Sequence, residues 1–534
     1  VRARNPARPY LFLFADRRYA WLALASLGLD GALRHLLIDR SRPRRTDVEA
    51  LEEMAARPGE GGVALALRHA RALDRSRVTR QFFADFKAWR AHVAAAWSGI
   101  PDAMVAEREQ LALLLLCRLM FLYFLQRGGH LCGDERYLPR LHDRWRRAPR
   151  AGATFFRRVL QPLFFGALNT RPEARGPEAQ ALGGLPYLNG GLFERHALER
   201  RFPELDLPDR VIAGVFDELL ERYRFTTLDR ADSVAGTAPR HDAASDDAGG
   251  IDPEMLGRVF EGLMAPDRRG LTGTYYTPAQ MVDRVVREAL ATYLADRSGL
   301  AESDAHLLVR HGDARFIEPR TRRALADDLA RVRVLDPACG SGAFLLGMLS
   351  RLARVRRALE GPGADVAEIR REIVGRTLHG VDVQEDAALL CALRLWLALA
   401  VENAGGEVQP LPNLDRRIRQ GDALLDPLDL GTGPVASTGT GGLPAYVAVA
   451  DPSVRQALRR IGPLSERYVG AGPDERPALA RELADAEADL ARGWITALER
   501  RIATHAAELR ALAESRDLFG EPPAGAAQAA RAWR

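Results

Sequence analysis

The chain has 534 residues, 47% of them hydrophobic and 28% charged, a composition of folded protein with room for several domains. The longest apolar run, Leu111 to Leu125, is interrupted by Arg118 and reads as a buried helix rather than a membrane span, and the N-terminus, Val1-Arg2-Ala3-Arg4-Asn5-Pro6, carries no secretory apolar region; a cytoplasmic protein with no membrane partner is expected. A net charge of +5 and a pI of about 9.2 favour a polyanionic partner only mildly.

In chain order, residues 1–75 read as a mixed α/β segment with strands at Tyr10–Phe14 and Leu36–Ile38. Residues 76–230 read as a helical domain, with apolar residues at helical spacing over Val78–Val93, Ala103–Arg127 and Ala153–Asn169. Its arginine cluster, Arg140 to Arg150, suits either phosphate contacts or a solvated helix end. Residues 231–250, rich in Asp, Ala, Ser and Gly, read as a linker. Residues 251–430 alternate helix and strand, as an α/β domain does. A flexible linker at 431–452 begins with the glycine-rich run Gly431–Gly442, and 453–534 should be a helical insertion built on long amphipathic helices. Cys117, Cys132, Cys339 and Cys391 lack the paired spacing of a zinc site or disulfide framework. Lys87 is the sole lysine, so the basic charge is arginine, whose planar fork suits phosphate and guanine.

Four blocks carry chemistry. In the first, the apolar run Val332, Val334, Leu335 meets Asp336-Pro337-Ala338-Cys339-Gly340-Ser341-Gly342, and Ala343, Phe344, Leu345 open an apolar helix. Glycines at a strand-to-helix turn let the backbone approach a ligand and leave helix N–H groups pointing at it. The second lies upstream, Leu271-Thr-Gly273-Thr-Tyr275-Tyr276-Thr277-Pro278. There Thr277 is expected as N-cap and Pro278 as the first residue of a helix with an apolar face of Met281, Val282, Val285, Val286 and Leu290. In the third, Leu378-His-Gly-Val-Asp382, an apolar strand ends in an acid suited to ribose hydroxyls. Gly342 and Asp382 stand farther apart than the roughly 20 residues of a dinucleotide fold, so an extra helix or insertion is expected between them. Asp386 should cap or line the helix that follows. The fourth is Gly421-Asp422, just past a further strand.

In this order the blocks closely resemble those of adenine-N6 DNA methyltransferases of the Type IIG-like restriction–modification and phage-defence family. The apolar motifs Phe121–Gly129, Phe164-Phe165 with Asn169, Leu185–Phe193 and Tyr223–Thr226 extend the resemblance to about residues 76–430. It implies a partial Rossmann-like class I core of α/β type, S-adenosylmethionine (SAM) as cofactor and double-stranded DNA as partner. It also implies cofactor-binding residues: Tyr275, Thr277 and Pro278 over the methionine end, Asp336 to Gly342 as the glycine loop, Asp382 at the ribose, and Asp422 at the adenine amine.

The family's catalytic motif, Asn/Asp-Pro-Pro-aromatic, is not found. The only Pro-Pro, Pro522-Pro523, stands between Glu521 and Ala524. In the family the motif's residues accept hydrogens from the target amine, while its aromatic ring stacks on a base taken out of the duplex. The chain is therefore expected to be a C-terminally incomplete methylase with no catalytic residues of its own, binding SAM weakly or not at all and inactive alone. A separate catalytic, specificity or restriction subunit is the expected protein partner. The alternative is a non-catalytic DNA-binding or scaffold subunit on a decayed or split methylase. Residues 1–60 read as a nuclease-like remnant or an N-terminal truncation, but Asp85-Phe86-Lys87, the one literal nuclease-type match, falls in a helical pattern.

Overall fold

The computed structural model describes residues 10–27, 33–41, 43–189, 191–225, 250–251, 277–298, 300–400, 409–424, 452–472, 474–514 and 516. All but the last residue of each expected linker, 231–250 and 431–452, the stretch 252–276 with Gly273, Tyr275 and Tyr276, and Pro522-Pro523 lie outside the described residues. The chain divides into two compact units, Val1–Gly421 and Asp422–Arg534.

The first unit opens with an antiparallel meander of β1 (Tyr10–Ala15), β2 (Trp21–Leu27) and β3 (Leu33–Asp39). Leu36 and Ile38 of β3 pack with Ala50 and Met54 of α1 (Arg45–Met54) and with Ala72 of α2 (Gly62–Ala72). The middle strand β2 was not expected. Its alanines weaken strand propensity, and pairing on both edges supplies what propensity lacks.

Three helices follow: α3 (Arg75–Ala96), α4 (Val105–Arg127) and α5 (Tyr137–Arg147). Lys87 and Asp85 sit on α3, and Asp85 accepts a 2.7 Å hydrogen bond from the Tyr223 hydroxyl, so this pair is part of a helix surface rather than a strand-borne nuclease site. From Leu111 to Leu125 helix α4 is apolar on every face apart from Arg118, and it is buried on every face there. It is long and apolar enough to cross a bilayer, yet 89% of its most apolar window is inside the fold. Beyond α5 the chain makes two wide turns of π-helix, Phe156–Leu160 and Pro162–Leu168, and the short helices α6 (Pro177–Gln180), α7 (Ala197–Arg201) and α8 (Asp209–Gly214). β4 (Arg224–Phe225) pairs in parallel with β5 (Gly250–Ile251).

The last part of this unit is α9 (Ala279–Ser298), α10 (Glu302–His311), α11 (Pro319–Arg331), β6 (Val334–Asp336), α12 (Ala343–Glu360), α13 (Val366–Glu372), β7 (Leu378–Asp382), α14 (Glu385–Ala400) and β8 (Ile418–Gln420). β6, β7 and β8 form a parallel sheet in that order, with Asp336 beside Gly380 and Asp382 beside Gln420. The long interval between the glycine loop and Asp382 is filled by α12, α13 and a wide turn, Ile373–Thr377. Two expectations for α9 are corrected. The Pro278 carbonyl accepts from Met281 and Val282 N–H, so the helix begins at Ala279 and Pro278, not Thr277, holds the cap position. Val282, Val286 and Leu290 are buried, with Ala291 and Leu294, but Met281 and Val285 are exposed, because the neighbouring α12 covers only one side of α9.

One continuous core runs from Val78 of α3 to Ile418 of β8. The helices of 76–225 and the parallel sheet therefore share one core. The second unit is a helix pair, α15 (Pro452–Gly470) and α16 (Arg476–Glu514), closed over Tyr468, Ala471, Leu479 and Leu483.

Candidate cofactor site

β6 delivers Asp336 to the carboxyl end of the sheet, and the chain turns there through residues 337–342 into α12. Gly340 and Gly342 have φ of +52° and +86°, a region that side chains with a Cβ rarely adopt. The two differ in surroundings. A Cβ on Gly340 would meet nothing within 4 Å, whereas one on Gly342 would lie 2.7 Å from Cys391 Sγ. Gly340 therefore leaves open space over the turn, and Gly342 lets the turn press onto α14.

The loop is fastened to the end of β7. Cys339 N–H donates to the Val381 carbonyl at 2.9 Å, and Gly340 N–H to Asp382 Oδ2 at 2.8 Å. Asp382 Oδ1 accepts from Gln384 N–H at 2.9 Å. A carboxylate has about four acceptor positions, so Asp382 keeps capacity for hydroxyl donors after holding two backbone amides. Asp336 Oδ1 accepts from Ala338 N–H at 3.2 Å, while its Oδ2 is buried with no partner. Burial pushes the Asp336 carboxyl above the ordinary carboxylate range, and the nearby Asp382 charge adds to the shift. A buried acceptor without a donor is costly, and this one stands beside an open glycine turn. The pair of carboxylates and the turn form a place where a ligand carrying a cation and hydroxyls gains hydrogen bonds.

α14 closes the loop from the other side. Cys391 shares a thiol–thiol hydrogen bond with Cys339, which together with burial pushes the Cys391 thiol well up. Arg394, one turn on, donates to the Ser341 carbonyl at 2.8 Å and to its hydroxyl at 3.0 Å. The start of α14 is held by the helical region: Arg90 donates to Asp386 at 2.8 Å, and Gln110 to Glu385. Asp386 is thus an anchor to α3 rather than a cap. Sequence reasoning passed over Arg394. The signal was a lone arginine in an otherwise apolar helix, Ala387 to Ala400.

The structure brings Asp336 to Gly342 and Asp382 together. Thr277 and Pro278 are at the start of α9, and Tyr275 lies outside the described residues. Asp422 follows β8 directly, is exposed, and accepts from Leu424 N–H at 2.9 Å as a turn-forming aspartate does; it belongs to the second compact unit.

A parallel strand–helix repeat with a glycine turn after its first strand defines an α/β domain. Residues 314–416 match the family model described as MmeI, DNA-methyltransferase domain. The chain is 28% identical over 357 residues to a putative type II restriction enzyme and methyltransferase of Methanocaldococcus jannaschii, covering 62% of this chain and 28% of that protein. It is 34% identical over 85 residues to the adenine-specific methyltransferase PglX of Streptomyces coelicolor, covering 16% of this chain and 7% of that one. The Type IIL restriction–modification enzyme MmeI, solved in complex with DNA, superposes with a TM-score of 0.42 at 17% identity, over 64% of this chain and 40% of that one. Over part of its length the chain is thus similar to the DNA-methyltransferase domain of MmeI and to a restriction enzyme and methyltransferase. It spans little more than a quarter of the first of these relatives.

Proposed function

We propose that this chain is the SAM-binding part of a site-specific adenine-N6 DNA methyltransferase, with double-stranded DNA as substrate. The observation that carries the reading is the unpartnered, buried Oδ2 of Asp336 beside the open Gly340 turn, with the Asp382 carboxylate on the next strand. SAM fits this donor and acceptor set. Asp336 would hold its ammonium group, the remaining acceptor positions of Asp382 would hold its ribose hydroxyls, and the turn at 338–342 would hold its chain. SAM supplies an activated methyl group when bound. The roles of Tyr275, Thr277, Pro278 and Asp422 belong to this same proposal and rest on the sequence resemblance.

These 534 residues contain no Asn/Asp-Pro-Pro-aromatic motif to accept the hydrogens of the adenine amine. We propose that those acceptors come from polypeptide other than these residues, either further chain or a separate subunit. The sheet supports this. Among the described residues β6 pairs only with β7, and Leu335 in its middle is 63% exposed, an unusual state for a leucine in a parallel strand. Further strands beside β6 would bury it.

Isothermal titration of the full chain with SAM tests the reading. Weak but saturable binding is expected, and the Gly340→Asp variant should lose it while keeping its melting temperature within a few degrees. Its side chain would fill the open space over the turn. Equal binding by wild type and variant would remove SAM from this site. The chain alone should form no N6-methyladenine in DNA; detectable SAM-dependent product would refute the need for added residues.

The raised Asp336 pKa gives a pH signature with a definite sign. In the free chain this carboxyl protonates at higher pH than an ordinary aspartate. A bound cation stabilises the carboxylate and lowers its pKa again, so binding releases a proton over the interval between the two values. SAM affinity should therefore be full above the free-state pKa and fall as pH drops through it. Asp336→Asn should abolish that dependence; an unchanged pH profile in this variant would place the titrating group elsewhere.

A further inference from the structure

Arg394 is 7% exposed in a helix whose other inward residues are apolar. A buried guanidinium is costly unless its donors are used. One Nη of Arg394 serves both polar atoms of Ser341, the carbonyl at 2.8 Å and the hydroxyl at 3.0 Å, and Ser341 is itself buried. Ser341 stands between the two glycines whose backbone conformations are left-handed. Cys391, on the same face of α14 one turn earlier, touches Gly342 and hydrogen-bonds Cys339. The glycine loop is thus gripped on one side by Val381 and Asp382 and on the other by Cys391 and Arg394.

We infer that Arg394 is a positioning residue for the cofactor: through Ser341 it fixes the conformation of residues 339–342, so that the Gly340 turn is already open when SAM arrives. Without it the Ser341 carbonyl and hydroxyl lose this donor, and the glycines on either side of Ser341 give the loop many other conformations. Holding the loop in advance removes an ordering cost that binding would otherwise bear. The role of Arg394 toward SAM rests on the proposed function; its role toward the loop does not. The grip extends to the helical region, because α14 is tied at its start by Arg90 and Gln110. Trp396, two residues beyond Arg394, donates to the Pro412 carbonyl at 2.8 Å and packs against Gly191. The helices of 76–225 thereby brace the helix that braces the loop.

The test uses the full chain and three variants, Arg394→Met, Arg394→Lys and Arg394→Ala. Amide hydrogen exchange of residues 339–342 is read without ligand, and SAM affinity by titration. Arg394→Met preserves the apolar length of the side chain and should keep the fold, checked by its melting curve. It should speed exchange at 339–342 by tenfold or more and weaken SAM binding by a similar factor. Arg394→Lys should recover part of both, since an ammonium can still reach the Ser341 carbonyl. Added guanidinium ion should recover part of both in Arg394→Ala, which a purely space-filling role would not allow. Exchange and affinity equal to wild type in Arg394→Met would overturn the inference. Altered exchange in a chain whose wild type binds no SAM would overturn the proposed function and leave the positioning of the loop standing. Should Arg394→Ala fail to fold, the Met and Lys pair decides.

Discussion

Replacing Asp382 with alanine is expected to weaken SAM binding by at least about a hundredfold and to cost roughly 2–4 kcal/mol of stability, since two charge-assisted backbone bonds disappear at once. Its carboxylate holds Gly340 N–H at 2.8 Å and Gln384 N–H at 2.9 Å, so it ties the glycine loop to the end of β7 and opens the chain toward α14. Asp382→Asn retains one acceptor oxygen and should lie between wild type and Asp382→Ala on both scales. Guanidinium unfolding and calorimetric titration separate the two roles of the group. A loss of stability with unchanged affinity would make the carboxylate a loop brace with no contact to the cofactor. Wild-type values for both would remove it from the site.

The second large effect lies far from the loop. Glu199→Ala is expected to cost about 3–5 kcal/mol, because it strands a buried guanidinium. Arg118, in the middle of α4, is 1% exposed and donates twice to Glu199, at 2.7 and 3.0 Å, once to the Leu192 carbonyl at 2.6 Å and once to the Glu194 carbonyl at 2.7 Å. Its guanidinium also lies 5.3 Å from the Phe164 ring centre and 5.2 Å from that of Phe165. Arg118 thus pins the Gly191–Phe193 turn to α4, and Gly191 is the surface on which Trp396 rests. Burial pushes the Glu199 carboxyl up, but Arg118 and the His196 N–H outweigh it and hold the group below its ordinary value. A depressed carboxylate stabilises the fold above its unfolded pKa, and that contribution is lost as pH falls through the folded value. Arg118→Met combined with Glu199→Leu should recover most of the loss, since an apolar pair needs no solvation. A cost under about 1 kcal/mol for Glu199→Ala, read from the denaturation midpoint, would show that the pair is not sealed from water.

The local chemistry of the candidate site was legible in the residues themselves. Asp336 to Gly342 was legible as a strand-to-helix turn because apolar runs, glycine and proline act on their own neighbours. The same locality made Asp382 readable at a strand end and α4 readable as buried, and it placed Lys87 on a helix. Only the tertiary structure decided how those pieces are held. That Met281 and Val285 face water follows from where α12 lies, which helical spacing cannot report. β2 is a strand because two partners flank it. Arg90 with Asp386, Gln110 with Glu385, and Arg118 with Glu199 join residues about 80 to 300 positions apart. Such pairs leave no period in the sequence, because their geometry is set by the packing of whole helices. Arg394 shows both sides: its oddness among leucines was visible in the sequence, but its partner, Ser341, became known only when α14 was laid against the glycine turn.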